Sequence, residues 1–345
     1  MNFTRKCFTA AAVLALPLAA AAEEVKVKAP TVTFNGMVDG YYTLNLDQPQ
    51  SYDSPTAGAG FWSSAPGFNL GYAKLAATVD AGDVGAKIEL GYGKQGAYVG
   101  DVLVQQGYVT FKTHGFTIDA GRFYTPAGFE VFDAKDNFLY SRGLLFNFTV
   151  PTAHEGVRTA YSLSENLTVT GSIANGSDLW ANDVGHSETP YKTVIGSVAY
   201  TKDATAAYLN LFYSKIPETD GENAFQADVV LSQGFGNLTL AAQGDYVKLA
   251  DADAILGLGV WAKFTATEWM NVFGRAEYVS DNDMVRSTTA DTLYGLTVGA
   301  GFPIGENAEV KGELRYDHAS EDIYDGKSEP KDGMSTATVS VMAWF

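Results

Sequence analysis

Hydrophobic and polar residues alternate with a period of two along much of the chain after residue 23. In Glu309-Val310-Lys311-Gly312-Glu313-Leu314-Arg315-Tyr316-Asp317 every odd position is charged and every even one is apolar or Gly. Successive side chains of a strand point to opposite faces, so this segment has one wet face and one apolar face. The same period runs through Val84–Leu90, Leu167–Ile173 and Leu238–Gln243. Each is close to the length of a tilted, membrane-crossing strand, about 10 residues. No helical period is sustained over a dozen positions.

The breaks between these runs alternate between tight and long. Tight turns fall near Asp80-Ala81-Gly82-Asp83, Thr113-His114-Gly115, Ser164-Glu165-Asn166, Lys202-Asp203-Ala204, Gly234-Phe235-Gly236-Asn237, Thr265-Ala266-Thr267-Glu268 and Pro303-Ile304-Gly305-Glu306-Asn307. Longer polar segments fall near 45–66, 95–101, 124–152, 177–190, 215–222, 248–253, 280–290 and 318–332. Together they predict an all-β fold: a transmembrane, antiparallel, up-and-down barrel of about 16 strands, with 14 or 18 if one connection is misassigned. A soluble β-sandwich would also alternate, but its inner face needs large apolar side chains. Here one face is rich in Gly, Ala, Ser, Thr, Asn and charges, while the other carries Leu, Val, Ile and aromatics, as expected for water inside and lipid outside. Tyr41, Tyr42, Tyr72, Tyr92, Tyr200, Tyr213, Tyr246, Tyr278 and Tyr316 lie near strand ends, where their rings are expected at the membrane interfaces.

Composition narrows the class further. Residues 1–22 combine Arg5 and Lys6, an apolar run from Phe8 to Leu18 and Ala19-Ala20-Ala21-Ala22, the layout of a secretory signal peptide. The barrel is then expected over 23–345. Cys7 would leave with the signal, so no disulfide or thiolate chemistry is expected in the mature chain. Losing Arg5 and Lys6 takes the net charge from −17 to −19. An acidic chain with a pI near 4.5 is not expected to bind nucleic acid. A mean hydropathy of −0.05 leaves no room for several apolar membrane helices.

About sixteen strands enclose an aqueous channel, whereas eight are filled by side chains. Passive passage of ions and small hydrophilic solutes is therefore the expected activity, with weak cation preference from the acidic excess. Alternation places Lys74, Lys87, Glu89, Lys112, Arg158, Asp228, Gln243, Asp245, Lys263, Arg275, Glu277, Lys311, Glu313, Arg315 and Asp317 on the lumen side, because a charge facing lipid costs about 2–4 kcal/mol for Arg or Lys. The 124–152 segment carries Phe129, Val131, Phe132, Phe138, Tyr140, Leu144, Leu145, Phe146 and Phe148, unsuited to a loop in solvent. It is expected to fold inward, leaving Glu130, Asp133 and Asp136 to line a narrowing opposite Lys74, Lys87, Lys112 and Arg158. An outward loop used in subunit contact is the alternative.

Competing chemistries find little support. His114, His154, His186 and His318 have no Ser or carboxylate at a spacing that suggests an activated nucleophile, so no enzyme is expected. The acidic clusters Asp281-Asn282-Asp283 and Glu321-Asp322 with Asp325 read as solvated loops rather than divalent-cation or lipopolysaccharide-bridging sites. No resident metal or cofactor is expected. A substrate-specific channel would need a line of lumen aromatics, and Tyr108, Phe212, Trp261 and Phe273 look scattered. An adhesin would need a domain-sized loop.

Two segments carry resemblances. The end Thr338-Val339-Ser340-Val341-Met342-Ala343-Trp344-Phe345 resembles the last strand of bacterial outer-membrane proteins, which implies that Phe345 is an assembly signal read by the barrel assembly machinery. Ala343 departs from the bulky residue often found there. Gly121-Arg122-Phe123-Tyr124-Thr125-Pro126-Ala127-Gly128-Phe129-Glu130, with Asp136-Asn137, Tyr140-Ser141-Arg142, Pro151-Thr152-Ala153-His154 and Gly156-Val157-Arg158, resembles the OmpL-like β-barrel porin family of Gram-negative bacteria. That resemblance implies a Gram-negative outer-membrane channel, surrounded by lipid and lipopolysaccharide, for small solutes. A homotrimer stays open, because the loop matches the constriction loop of trimeric porins only in composition. Arg122 falls on the lipid side by simple parity, so it is expected at a rim or beyond a bulge.

Overall fold

The computed structural model describes residues 27–49, 65–93, 103–176, 191–216, 222–282 and 290–345. The expected signal segment lies outside them, as do Asp283 and His186. Sixteen strands run in chain order: β1 Val27–Asn45, β2 Gly67–Gly82, β3 Val84–Tyr92, β4 Leu103–Thr113, β5 Phe116–Tyr124, β6 Ala153–Ser164, β7 Leu167–Ala174 and β8 Thr193–Lys202. They continue as β9 Thr205–Ile216, β10 Glu222–Phe235, β11 Leu238–Leu249, β12 Ile255–Thr267, β13 Met270–Ser280, β14 Thr292–Ile304, β15 Ala308–Ala319 and β16 Gly333–Trp344. Every strand pairs antiparallel with its neighbours in sequence, and β1 pairs with β16 to close the barrel. The expected up-and-down barrel of sixteen strands is therefore correct, and each of the seven tight turns falls where the sequence places it.

Alternation explains the wall. On the outer face Leu231, Leu240, Val260, Leu296, Leu314 and Val339 are 43% to 57% exposed, while the inward Asp228, Arg275, Thr297, Lys311, Glu313, Arg315 and Ser340 are 0% to 6% exposed. No described residue covers this apolar row, and water would leave it unfavourably exposed, so it suits a lipid-facing belt. Tight turns use residues that tolerate positive φ: His114 and Gly115, at 48° and 82°, turn β4 into β5. The last residue completes the closure, with the Phe345 N–H donating to Gly36 O and the Gly36 N–H to Phe345 O at 3.0 and 3.1 Å.

Two of the expected interface tyrosines are corrected. Tyr41 shares its face with Asp39 and Thr43, and all three are buried inside the barrel. Tyr72 joins them because the β1–β2 register slips between Asp39 and Gly40, turning it inward. Tyr92, Tyr200, Tyr213, Tyr246 and Tyr316 are exposed on the outside.

A second irregularity lies where the chain leaves the wall. Pairing of β3 with β4 slips between Glu89 and Leu90, and Gly121 in β5 has φ of 138°. A Cβ at Gly121 would sit 2.8 Å from the Tyr108 Cα. Gly121→Ala is expected to destabilise the barrel by about 1–3 kcal/mol, read as a lower urea midpoint for the detergent-folded protein; an unchanged midpoint would refute this.

Candidate pore constriction

β5 ends at Tyr124, and the chain then runs through the lumen to residue 152 instead of over the rim. It leaves through Pro126-Ala127-Gly128, where Gly128 has φ of 92°. The wall receives it strand by strand. Asn210 of β9 donates to Pro126 O at 3.0 Å, the Gly128 N–H donates to Asp228 of β10 at 3.3 Å, and the Phe129 N–H donates to Gln243 of β11 at 2.7 Å. On the return, the N–H groups of Tyr140 and Ser141 donate to Glu313 of β15 at 3.0 and 3.2 Å. A short helix, α1 Leu144–Phe148, then leads to Thr149, whose hydroxyl donates to Asp245 of β11 at 2.6 Å. Its carbonyl accepts from Gln226 of β10 at 2.7 Å. A loop without a ladder must satisfy its backbone groups otherwise, and here lumen side chains do so.

Charges hold the centre. Arg275 of β13 donates to Glu130 at 2.7 Å and to Ser141 O at 2.6 Å, and its Nε is 3.0 Å from Glu277. Glu130 also accepts from the Gly143 N–H at 2.6 Å and from Trp261 at 3.2 Å, while Glu277 accepts from the Leu145 N–H at 3.1 Å. Lys311 donates to Asn137 O at 2.6 Å, and Arg315, paired with Asp317 at 2.7 Å, donates to Arg142 O at 2.7 Å. Arg142 is fully buried and binds the carbonyls of Val131, Phe132 and Tyr140, which folds the loop back on itself. Tyr140 reaches Asp39 of β1 at 2.6 Å.

Apolar contacts fill the spaces between. Phe129 lies 4.9 Å from Trp261 and Phe138 lies 6.2 Å from Phe273, centroid to centroid. Phe132 stacks on Tyr124 at 5.3 Å and touches Tyr72 at 5.5 Å. Three of the four lumen aromatics that look scattered in the sequence are thus contact points: Trp261 and Phe273 for the loop, and Phe212 for His154 at 5.8 Å.

The wall from β3 to β8 is different. Arg158 of β6 pairs with Asp119 of β5 at 2.8 Å and lies over the rings of Phe123 and Tyr108 at 4.7 and 5.2 Å. Lys87 pairs with Glu89 at 3.1 Å. The side chains of Lys87 and Arg158 keep 25% and 29% exposure, against 1% for Arg275 under the loop. These two basic side chains are therefore the less buried ones.

The structure separates the residues expected to form a two-sided ring. Glu130 does not line an opening, because it is spent on Arg275 and buried. Asp133 is tied to Lys74, which also sits 3.6 Å from Glu89, so these three form one cluster. Asp136 is exposed beside Lys135 at 2.7 Å. Lys112 lies at the turn-side rim, 3.4 Å from Asp80, and not beside the loop. Lys263 faces inward on the turn side of Trp261. Asp39 and Asp119 escaped the sequence reading, and Arg142 entered it only as part of the resemblance, with no role. Asp39 and Asp119 follow strand parity and could have been found that way, whereas Arg142 lies in a loop with no period.

Arg122 faces outward. It pairs across β5 and β6 with Glu155 at 3.1 Å and donates to Gln105 O at 3.2 Å, at the β3–β4 bulge. Ala120 and Val157 flank it on that face.

A closed sixteen-stranded barrel with an apolar outer belt and a loop folded into a charged lumen defines an outer-membrane porin. The family model described as putative beta-barrel porin-2, OmpL-like, matches residues 31–345, and the chain belongs to that family. Its place is the Gram-negative outer membrane. No curated protein matches the sequence. Solved structures similar in fold include an anion-selective porin from Comamonas acidovorans, with TM-score 0.66, 12% identity, and coverage of 92% of this chain and 100% of that one. OmpF of Salmonella typhi in complex with daunomycin gives 0.66 at 14% identity, covering 91% and 97%. The trimer form of OmpT from Vibrio cholerae gives 0.64 at 12%, covering 92% and 100%.

Proposed function

We propose that this porin passes ions and small hydrophilic solutes by diffusion, with weak cation preference, through a gap between the inward loop and the wall from β3 to β8. The carrying observation is the contrast in exposure: lumen charges beneath the loop are dry, while Lys87, Arg158, Lys135 and Asp136 keep contact with water. Opposed charges across a wet gap set up a transverse field that favours hydrated, dipolar solutes. The cation preference follows from the net charge of −19 expected once Arg5 and Lys6 are lost from −17, and from the acidic loops, which concentrate cations at the mouth. In planar bilayers the protein should give stable conductance steps and, in a KCl gradient, a reversal potential of cation-selective sign. Arg158→Glu should raise the K⁺ over Cl⁻ permeability ratio about two-fold or more. Absence of steps would sink the pore, and anion preference in the unaltered protein would sink the selectivity.

For partners, the outer belt is read as lipid- and lipopolysaccharide-facing, and the C-terminal strand with Phe345 as the segment met by the barrel assembly machinery. A homotrimer is supported by the outward Arg122–Glu155 pair. A charge against lipid costs about 2–4 kcal/mol, so a neighbouring subunit covering this patch removes that cost. Native mass spectrometry of the detergent-extracted protein should show three chains, reverting to one in Arg122→Leu/Glu155→Leu if that pair is part of the contact.

A further inference from the structure

The buried carboxylates of the wall have basic partners: Asp39 feels Arg142, Glu89 has Lys74 and Lys87, Asp119 has Arg158, Glu277 and Glu313 face Arg275, and Asp317 has Arg315. Asp228 and Asp245 depart from this. They are register partners on β10 and β11, 0% and 5% exposed, so their carboxyl groups lie side by side on the inner face. Their other contacts are neutral: Asn210 at 2.6 Å and the Gly128 N–H for Asp228, Gln243 at 2.7 Å and the Thr149 hydroxyl for Asp245.

Two buried oxygens beside them have no partner. One is Oδ1 of Asp245, and the other is Oε1 of Gln226, a fully buried side chain two residues before Asp228 on the same face. Both side chains are fastened to Thr149, Asp245 to its hydroxyl and Gln226 to its carbonyl, and they are diagonal neighbours across the β10–β11 register, so both flank the same loop residue. A buried oxygen left without a donor is costly, and two adjacent carboxylates repel. An oxygen-only donor set carrying two negative charges suits a hard divalent cation, which takes carboxylate and amide oxygens at about 2.3–2.6 Å.

We propose that Asp228, Asp245 and the Gln226 carbonyl bind a calcium-class divalent cation at the root of the inward loop. The site joins the loop's two ends, since Asp228 holds Gly128 where the loop departs and Asp245 holds Thr149 where it returns. The cation thus locks the constriction against the β10–β11 wall.

The test is calorimetric titration of CaCl₂ into the EDTA-treated, detergent-folded protein, alongside thermal unfolding with and without CaCl₂. The unaltered chain should bind one more Ca²⁺ than Asp245→Asn and should melt higher in CaCl₂ than in EDTA. Gln226→Leu keeps both carboxylates and loses only the orphan oxygen and the bond to Thr149 O, so it decides the matter if Asp245→Asn does not fold. It should weaken that site at least tenfold. Equal stoichiometry and affinity in the unaltered chain and these variants would overturn the proposal, because any Ca²⁺ would then sit on the outer acidic loops. So would melting that ignores CaCl₂ but rises toward acid, the signature of a proton shared by the two carboxyls.

Discussion

Arg275→Met is expected to destabilise the protein by about 3–5 kcal/mol, the range for removing one partner of a buried ion pair. Arg275 is 2% exposed and serves Glu130, Glu277, Ser141 and Thr297 together. Methionine fills much of the volume but leaves two buried carboxylates without a countercharge, and that residue charge is the larger penalty. The consequences separate cleanly. Glu130 belongs to the loop and Glu277 to the wall, so their repulsion pushes the loop off β13 while the barrel's backbone ladder is untouched. Urea midpoints should fall, and single-channel records should become noisier as the loop fluctuates. Adding Glu130→Gln and Glu277→Gln removes the stranded charges and should recover most of the lost stability. If Arg275→Met matches the parent in both assays, the triad does not hold the loop.

Excising the loop should have the largest effect on transport. Its ends are close together: Gly128 binds Asp228 and Thr149 binds Asp245, which face each other in the β10–β11 register, and a Cβ on Gly128 would lie 3.1 Å from Val150. Residues 129–149 can therefore be replaced by three glycines without straining the wall. A sixteen-stranded barrel encloses an aqueous channel when nothing fills it, so conductance should rise by a factor of about two to five. Arg275, Arg315, Glu313 and Asp317 would become hydrated, and hydration offsets their lost loop contacts. Conductance equal to that of the parent would mean that the loop is not the narrowest part of the path.

The barrel was legible because strand alternation is local. Glu309 to Asp317 states its two faces in nine residues, and the structure sets Lys311, Glu313, Arg315 and Asp317 inward as that pattern requires. Turns were legible for the same reason, since His114-Gly115 or Gly236-Asn237 carries its backbone preference in the residues themselves. Arg122 faces outward as parity places it, but Leu70 and Tyr72, two residues apart, take opposite faces only because the β1–β2 register slips beside them.

The constriction shows the other limit. Sequence alone determined that 124–152 is too apolar for solvent and that acidic and basic residues would meet in the lumen. Which ones meet was decided only by the tertiary structure. Glu130, expected at the opening, lies 145 residues before Arg275 and is turned into the wall by it. Asp228 and Asp245 become neighbours only when β10 and β11 pair. A period of two fixes which face a side chain occupies, but its partner across the lumen is set by barrel closure and by the path of a loop that has no period.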